Sequence, residues 1–315
     1  MESPARFRLA RRAVVAGLGR VRAAWGSVLV AYALGVVLTL PLAAVVQASL
    51  AASLRHREAS ERLLTGWDGL WHATYARRAE GLEASFDAGV VGIGAVLRSL
   101  DALLRGAVFE VPAPLWLVGV VYLLGWVLLS GGLLARFAGD ERSVLVLGVR
   151  HMPRMLALSV TGWAAWAVIF GTGLPALSAG VEALCRDVID ERVYAAWLLA
   201  KYVVLWLGVL AVRAVVDYAK VAAIADPSRS WRASLGAGAR TCGRRLGAVV
   251  SVMIQLGLVG LGLLLLYWVV VPGADPSHAL TIGVAILIGQ ASVVARVVMR
   301  AWGLASAQVL YEQGG

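Results

Sequence analysis

From Trp25 to Leu54 the chain carries no Asp, Glu, Lys or Arg. A helix needs ~20 consecutive apolar residues to cross a hydrocarbon core, so this run alone places the chain among membrane proteins. Comparable runs recur along it. Six spans fit, near residues 25–50, 114–136, 156–180, 195–217, 247–271 and 279–300. The expected fold class is an all-α polytopic membrane protein with six transmembrane helices in a single membrane domain over 1–315. Arg6, Arg8, Arg11 and Arg12 lie ahead of the first run like the basic region of a secretory leader. The apolar stretch from Trp25 to Val46 is longer than the ~7–15 residues of a leader's apolar core, so the helix is expected to be retained.

Charge then orients the spans. The chain is 60% hydrophobic and 15% charged, against about 25% charged in soluble domains. Its formal net charge is +10, and basic residues beside spans collect on the cytoplasmic side. Residues 1–24, the loop after the second span (Arg142, Arg150, Arg154) and the loop after the fourth (Lys220, Arg229, Arg232, Arg240, Arg244, Arg245) are basic. Loop 272–278 has no Lys or Arg, and in loop 181–194 acids outnumber bases. Both termini are therefore expected to be cytoplasmic. Trp25, Trp116, Trp197, Trp268 and Trp302 near the span ends suit an interfacial belt. No nucleic-acid reading module has room between the spans. Only Lys201 and Lys220 are lysines and asparagine is absent, so arginine richness reflects composition more than function.

The largest part outside the spans is 51–112, expected as a periplasmic helical insertion. Ile93, Val96, Leu97, Leu100, Leu103 and Leu104 follow the i, i+3, i+4, i+7 spacing of an amphipathic helix. In "GWDGLWHATY", Trp67, Trp71 and Tyr75 stand one helical turn apart. Such a segment caps the bundle, rests on headgroups, or docks a partner through those aromatic residues.

Three stretches resemble one another: "AVVAGLGRVRAAWGSVLVA", "SVLVLGVRHMPRMLALSVTG" and "ASLGAGARTCGRRLGAVVSV". Each is amphipathic, holds a glycine and spaced arginines, and runs into a span. The expected unit is a cytoplasmic interfacial helix, a span out and a span back, repeated three times in parallel orientation. "GDERSV" and "ADPSRSW" match loosely, with Asp140 and Asp226 expected as helix N-caps, the latter followed by Pro227 at the first helical position.

With those helices and "DYAKVAAIADPSRSWRAS" after the fourth span, the chain resembles a broad set of bacterial six-span inner-membrane proteins, related to the membrane domain found fused to glycerophosphodiester phosphodiesterases. The resemblance covers most of the chain outside 51–112. It implies an inner-membrane location and lipid or envelope biology. It carries over no catalytic residue, because the phosphodiesterase domain itself is absent.

The motifs of nucleotide motors, zinc peptidases and nucleophile-elbow hydrolases are missing. His56, His72, His151 and His278 are scattered. His72 follows Asp68 by one turn, which is half a metal site where three or four ligands are needed. No cofactor or metal is expected. Cys185 and Cys242 fall on opposite sides of the membrane and form no CxxC. Lys201 is expected to snorkel, and Gln255 and Gln290 to hydrogen-bond between helices. Ala31/Gly35 and Ala285/Gly289 permit close helix packing. Laying "RAVVDYAK" over "RVVMRAWG" matches Arg213 with Arg296 and Asp217 with Arg300. Asp217 then pairs either locally, with Arg213 or Lys220, or with Arg300 as an ionic latch between helices. Arg150, Arg154, Arg240, Arg244 and Arg245 are placed to contact anionic lipid headgroups. The expected function is a non-enzymatic scaffold or accessory subunit, with membrane lipids and a membrane-protein partner or second copy as partners. A transporter or lipid-handling protein is the alternative.

Overall fold

A computed structural model describes residues 3–55, 60–61, 68–83, 86, 93–107, 113–270 and 279–313. The elements are α1 (Ser3–Ala23), α2 (Trp25–Ser53), α3 (Gly69–Arg78), α4 (Ile93–Arg105), α5 (Ala113–Phe137), α6 (Val144–Val168), a π-helical turn (Ile169–Gly173), α7 (Leu174–Cys185), α8 (Glu191–Ala225), α9 (Trp231–Arg244), α10 (Leu246–Val270) and α11 (Ala279–Glu312). No strand occurs among the described residues. Six helices are long and apolar enough to cross a membrane: α2, α5, the continuous α6–α7 helix, α8, α10 and α11. Trp67, His56, His278 and loop 272–278 lie outside the described residues.

Local chemistry explains the breaks and the continuities. Pro175 has no N–H to donate, and its ring crowds the carbonyl four residues back. The π turn just before it absorbs that conflict, with the Leu174 N–H reaching back to the Ile169 carbonyl. One helix therefore runs from Val144 to Cys185. At the end of α5, Gly139 takes φ +98°, a conformation that favours glycine. The Asp140 N–H bonds the Ala135 carbonyl and the Gly139 N–H the Arg136 carbonyl, which is a Schellman stop.

The two Asp caps expected from the sequence fold differently. Asp226 is the C-terminal boundary of α8, and its carboxylate accepts from the Ser228 N–H at 3.0 Å and the Ser228 hydroxyl. Asp140 likewise accepts from the Arg142 N–H at 3.1 Å. Both close turns on themselves, as Asp side chains do two residues on. The N-cap positions are the serines that follow, Ser230, which accepts from the Ala233 N–H, and Ser143.

The core lies at the end of the molecule that carries both chain termini, where the arginines also gather. The last turns of α5, α8 and α11 touch one another pairwise. There they are buried on every face: residues 129–135, 218–223 and 304–310. Each is clasped by another helix, α5 by the start of α6, α8 by α9, and α11 by α1. α1 turns Ala10, Ala13, Val14 and Val21 into this core, and the Trp302 Nε1–H donates to the Val14 carbonyl at 2.7 Å.

Each clasp closes on a glycine. A methyl group on Gly17 would stand 2.8 Å from the Ser306 backbone nitrogen, one on Gly148 2.5 Å from the Leu128 carbonyl oxygen, and one on Gly238 2.6 Å from the Ala219 nitrogen. The backbones approach so closely that only glycine fits. Away from this layer the long helices leave Leu261, Leu265, Leu266, Trp268, Leu280 and Leu287 exposed. In lipid these faces have no driving force to bury.

At the opposite end α3 starts at Asp68, whose carboxylate accepts from the Leu70 and Trp71 N–H groups, both at 3.0 Å. Trp71, Tyr75 and Phe86 form an aromatic cluster, and the hydroxyls of Tyr75 and Ser49 lie 3.3 Å apart. The end of α4 rests on the spans, with the Tyr202 hydroxyl donating to the Leu104 carbonyl at 3.3 Å. Gly106, at φ +75°, packs against Leu174.

Candidate functional site

The arginine-rich end draws most of the predicted site residues together, and of the pairings open to Asp217 it shows the local one. Asp217 meets Arg213 on its own helix, Nε to Oδ2 3.7 Å. Arg300 is engaged elsewhere: its Nη1 donates to the Tyr122 hydroxyl at 2.8 Å, and its guanidinium lies 5.0 Å from the Trp126 ring centroid. The structure does not bring Asp217 and Arg300 into ion-pair range. The Asp217 carboxylate is held by the arginine one turn back on its own helix, and the Arg300 guanidinium by aromatic side chains of α5. Lys220, expected beside Asp217, is instead buried in the core layer and forms no ion pair with it.

Of the five arginines expected at lipid headgroups, Arg150, Arg240 and Arg244 are exposed and Arg154 is half-buried. Arg245 has a structural task. It donates to the Leu310 carbonyl at 2.9 Å and the Gln313 carbonyl at 3.2 Å, satisfying the last carbonyls of α11 as basic side chains do at helix C-termini. Arg229 reaches the Tyr311 hydroxyl at 3.3 Å, and Arg20 grips Glu312, with Nη1 2.9 Å from Oε1. Three arginines thus converge on the end of α11.

Two contiguous recesses, of about 230 and about 270 Å³, open beside the junction of α1 and α2. Ala23, Ala24, Arg136 and Glu141 line both. Arg142, on the wall of one, is held by Asp140, with Nε to Oδ1 3.0 Å. That hydrogen bond keeps the Asp140 carboxyl at about 2, well below the usual carboxylate range. The Arg136 guanidinium makes one hydrogen bond, to the Asp140 carbonyl at 3.1 Å. Among the described residues it meets no carboxylate in ion-pair range, and Glu141 meets no cation. The recess thus presents one unneutralised charge of each sign. Nothing in the sequence singled out Arg20, Arg136 or Glu141. The available signal was a lone arginine closing an apolar run, in "LLARFAGDERS".

Other expected positions are placed as follows. Trp71 and Tyr75 lie in the aromatic cluster with Phe86, Tyr75 buried and Trp71 half-buried. Asp68 caps α3, and the His72 Nε2 sits 3.1 Å from the Phe86 carbonyl. No group of three potential metal ligands occurs among the described residues. The Lys201 ammonium lies 3.4 Å from the Ser178 hydroxyl. The Tyr32 hydroxyl donates to Gln290 at 2.8 Å between α2 and α11, whereas Gln255 turns to Ser251 on its own helix. Added methyls on Gly35 and Gly289 would meet nothing within 4 Å. The close crossings therefore lie elsewhere than the small-residue pairs read in the spans. Comparison with family models, curated proteins and solved structures finds no match to this chain.

Proposed function

We propose that this chain is a non-enzymatic integral protein of the bacterial inner membrane that serves as a scaffold or accessory subunit of a membrane complex. The observation that carries this reading is the division of the molecule. A tight layer at the arginine-rich end holds α5, α8 and α11 together, while the apolar sides of α2, α10 and α11 stay uncovered for lipid or another helix. A rigid hub with free lateral faces suits assembly.

In this reading the chain is three parallel helical hairpins, the first and third led by a separate helix at the cytoplasmic surface, α1 and α9, and the second by the first turns of α6 itself. The three glycine clasps support it, each setting a glycine of one helix against the backbone of a span. Each leading helix then clasps the returning span of the hairpin before it, and α1 closes the circle on α11. A head-to-tail contact that closes in this way makes a ring. Both termini face the cytoplasm and the 51–112 segment faces the periplasm. Extraction of native membranes in mild detergent, followed by mass analysis, tests the function. A partner protein, or a second copy, should accompany the chain in fixed stoichiometry. Recovery of the chain as a solitary monomer would overturn the scaffold reading.

A further inference from the structure

We infer that the recess between the α1–α2 junction and the α5–α6 turn is a binding site for a zwitterionic lipid headgroup carrying a phosphate and a primary ammonium. The inference rests on the reading that α2 spans the bilayer. Gly26, Ser27 and Val30, from the first turns of α2, form one wall. Trp25 beside them is exposed, as an aromatic residue at the headgroup level is. The recess is thus at the depth where headgroups lie, and the apolar flank of α2 leads from it toward the hydrocarbon.

The charges select the ligand. The neighbouring ions are already matched: Arg142 with Asp140, and Arg20 with Glu312. What remains is the half-buried Arg136, with donors to spare, and Glu141, which lines both recesses. A guanidinium offers planar, paired donors suited to a phosphate. A carboxylate accepts hydrogen bonds from an ammonium, which a quaternary ammonium cannot give. A phosphate alone would leave Glu141 as a like charge beside it, so a purely anionic headgroup fits less well than one carrying both signs.

Native mass spectrometry of the full chain in mild detergent tests this, with phosphatidylethanolamine, phosphatidylglycerol and phosphatidylcholine of one acyl composition. One phosphatidylethanolamine should be retained at least about tenfold better than either of the others, the span of one charge-assisted hydrogen bond. Glu141→Gln, an exposed change that leaves the fold alone, should abolish that preference. Arg136→Gln should weaken retention of all three lipids about tenfold. Equal retention of the three lipids, or an unchanged preference in Glu141→Gln, would overturn the assignment. Displacement of the lipid by inorganic phosphate would also overturn it and point to a soluble phosphate compound. None of these outcomes depends on whether a protein partner co-purifies.

Discussion

At the scale of the residue, the decisive positions are small. Gly17, Gly148 and Gly238 each sit where another backbone presses against the helix, and a single methyl must displace main-chain atoms. Overpacking of this kind costs typically about 1–3 kcal/mol. Gly17→Ala is expected to destabilise the protein by that amount in thermal unfolding in detergent. Gly19→Ala, two residues on, adds a methyl that meets nothing within 4 Å, and should stabilise α1 by up to about 1 kcal/mol through helix propensity alone. Shifts of the same sign in both variants would contradict the clasp between α1 and α11. Asp226 shows how a local reading goes astray. Asp before Pro is a sound capping signal, but the carboxylate found the Ser228 N–H and hydroxyl first, and Ser230 took the cap.

At the scale of the element, the α5–α6 turn is held by charge. Asp140 bonds Arg142 through side chain and backbone, and these hydrogen bonds hold its carboxyl at about 2 rather than the usual 3.8. A depressed carboxyl stabilises the folded form above its unfolded pKa, and that contribution is lost as pH falls toward the folded value. Asp140→Asn should therefore melt below the parent protein near neutral pH, with the gap closing as the pH falls from about 4 toward about 2. Thermal unfolding of both proteins across that range checks it, and a gap that stays constant with pH would dismiss the pair as the cause. The outer elements followed their sequence periods. α4 forms over the positions spaced i, i+3, i+4, i+7, and α3 over the Trp71–Tyr75 turn. The aromatic residues of α3, Trp71 and Tyr75, pack with Phe86 in stacked and edge geometries, which aromatic rings favour.

At the scale of the whole molecule, packing and topology meet in the two cysteines. Cys185 ends α7 on the side away from the core and is half-buried, while Cys242 is buried in the core layer. Burial, reinforced by the nearby Asp217, pushes the Cys242 thiol up to about 11, and a thiol so raised is unreactive. A membrane-impermeant maleimide added outside intact cells should label Cys185 and leave Cys242 untouched until the protein is denatured. Labelling of Cys185 from the cytoplasmic side alone would reverse the orientation, and labelling of folded Cys242 would show the layer to be open.

The sequence by itself determined that six helices are long and apolar enough to cross a membrane, and that helices form over Trp71–Tyr75 and over Ile93–Leu104, though three of the long helices run about 12–17 residues beyond the spans read for them. Each of those outcomes depends on the transfer of one segment or on its own period, terms that sum residue by residue. Only the tertiary structure decided that Arg300 faces Tyr122, that Lys220 is interred, and that Arg136 and Glu141 share a recess. Runs of Ala, Val and Leu present nearly the same face at every turn, so they do not say which turns of two helices meet. The contacts were settled where glycines such as Gly17, Gly132, Gly148 and Gly238 let helices close, through the one property that a one-dimensional pattern does not record: the distance between two backbones.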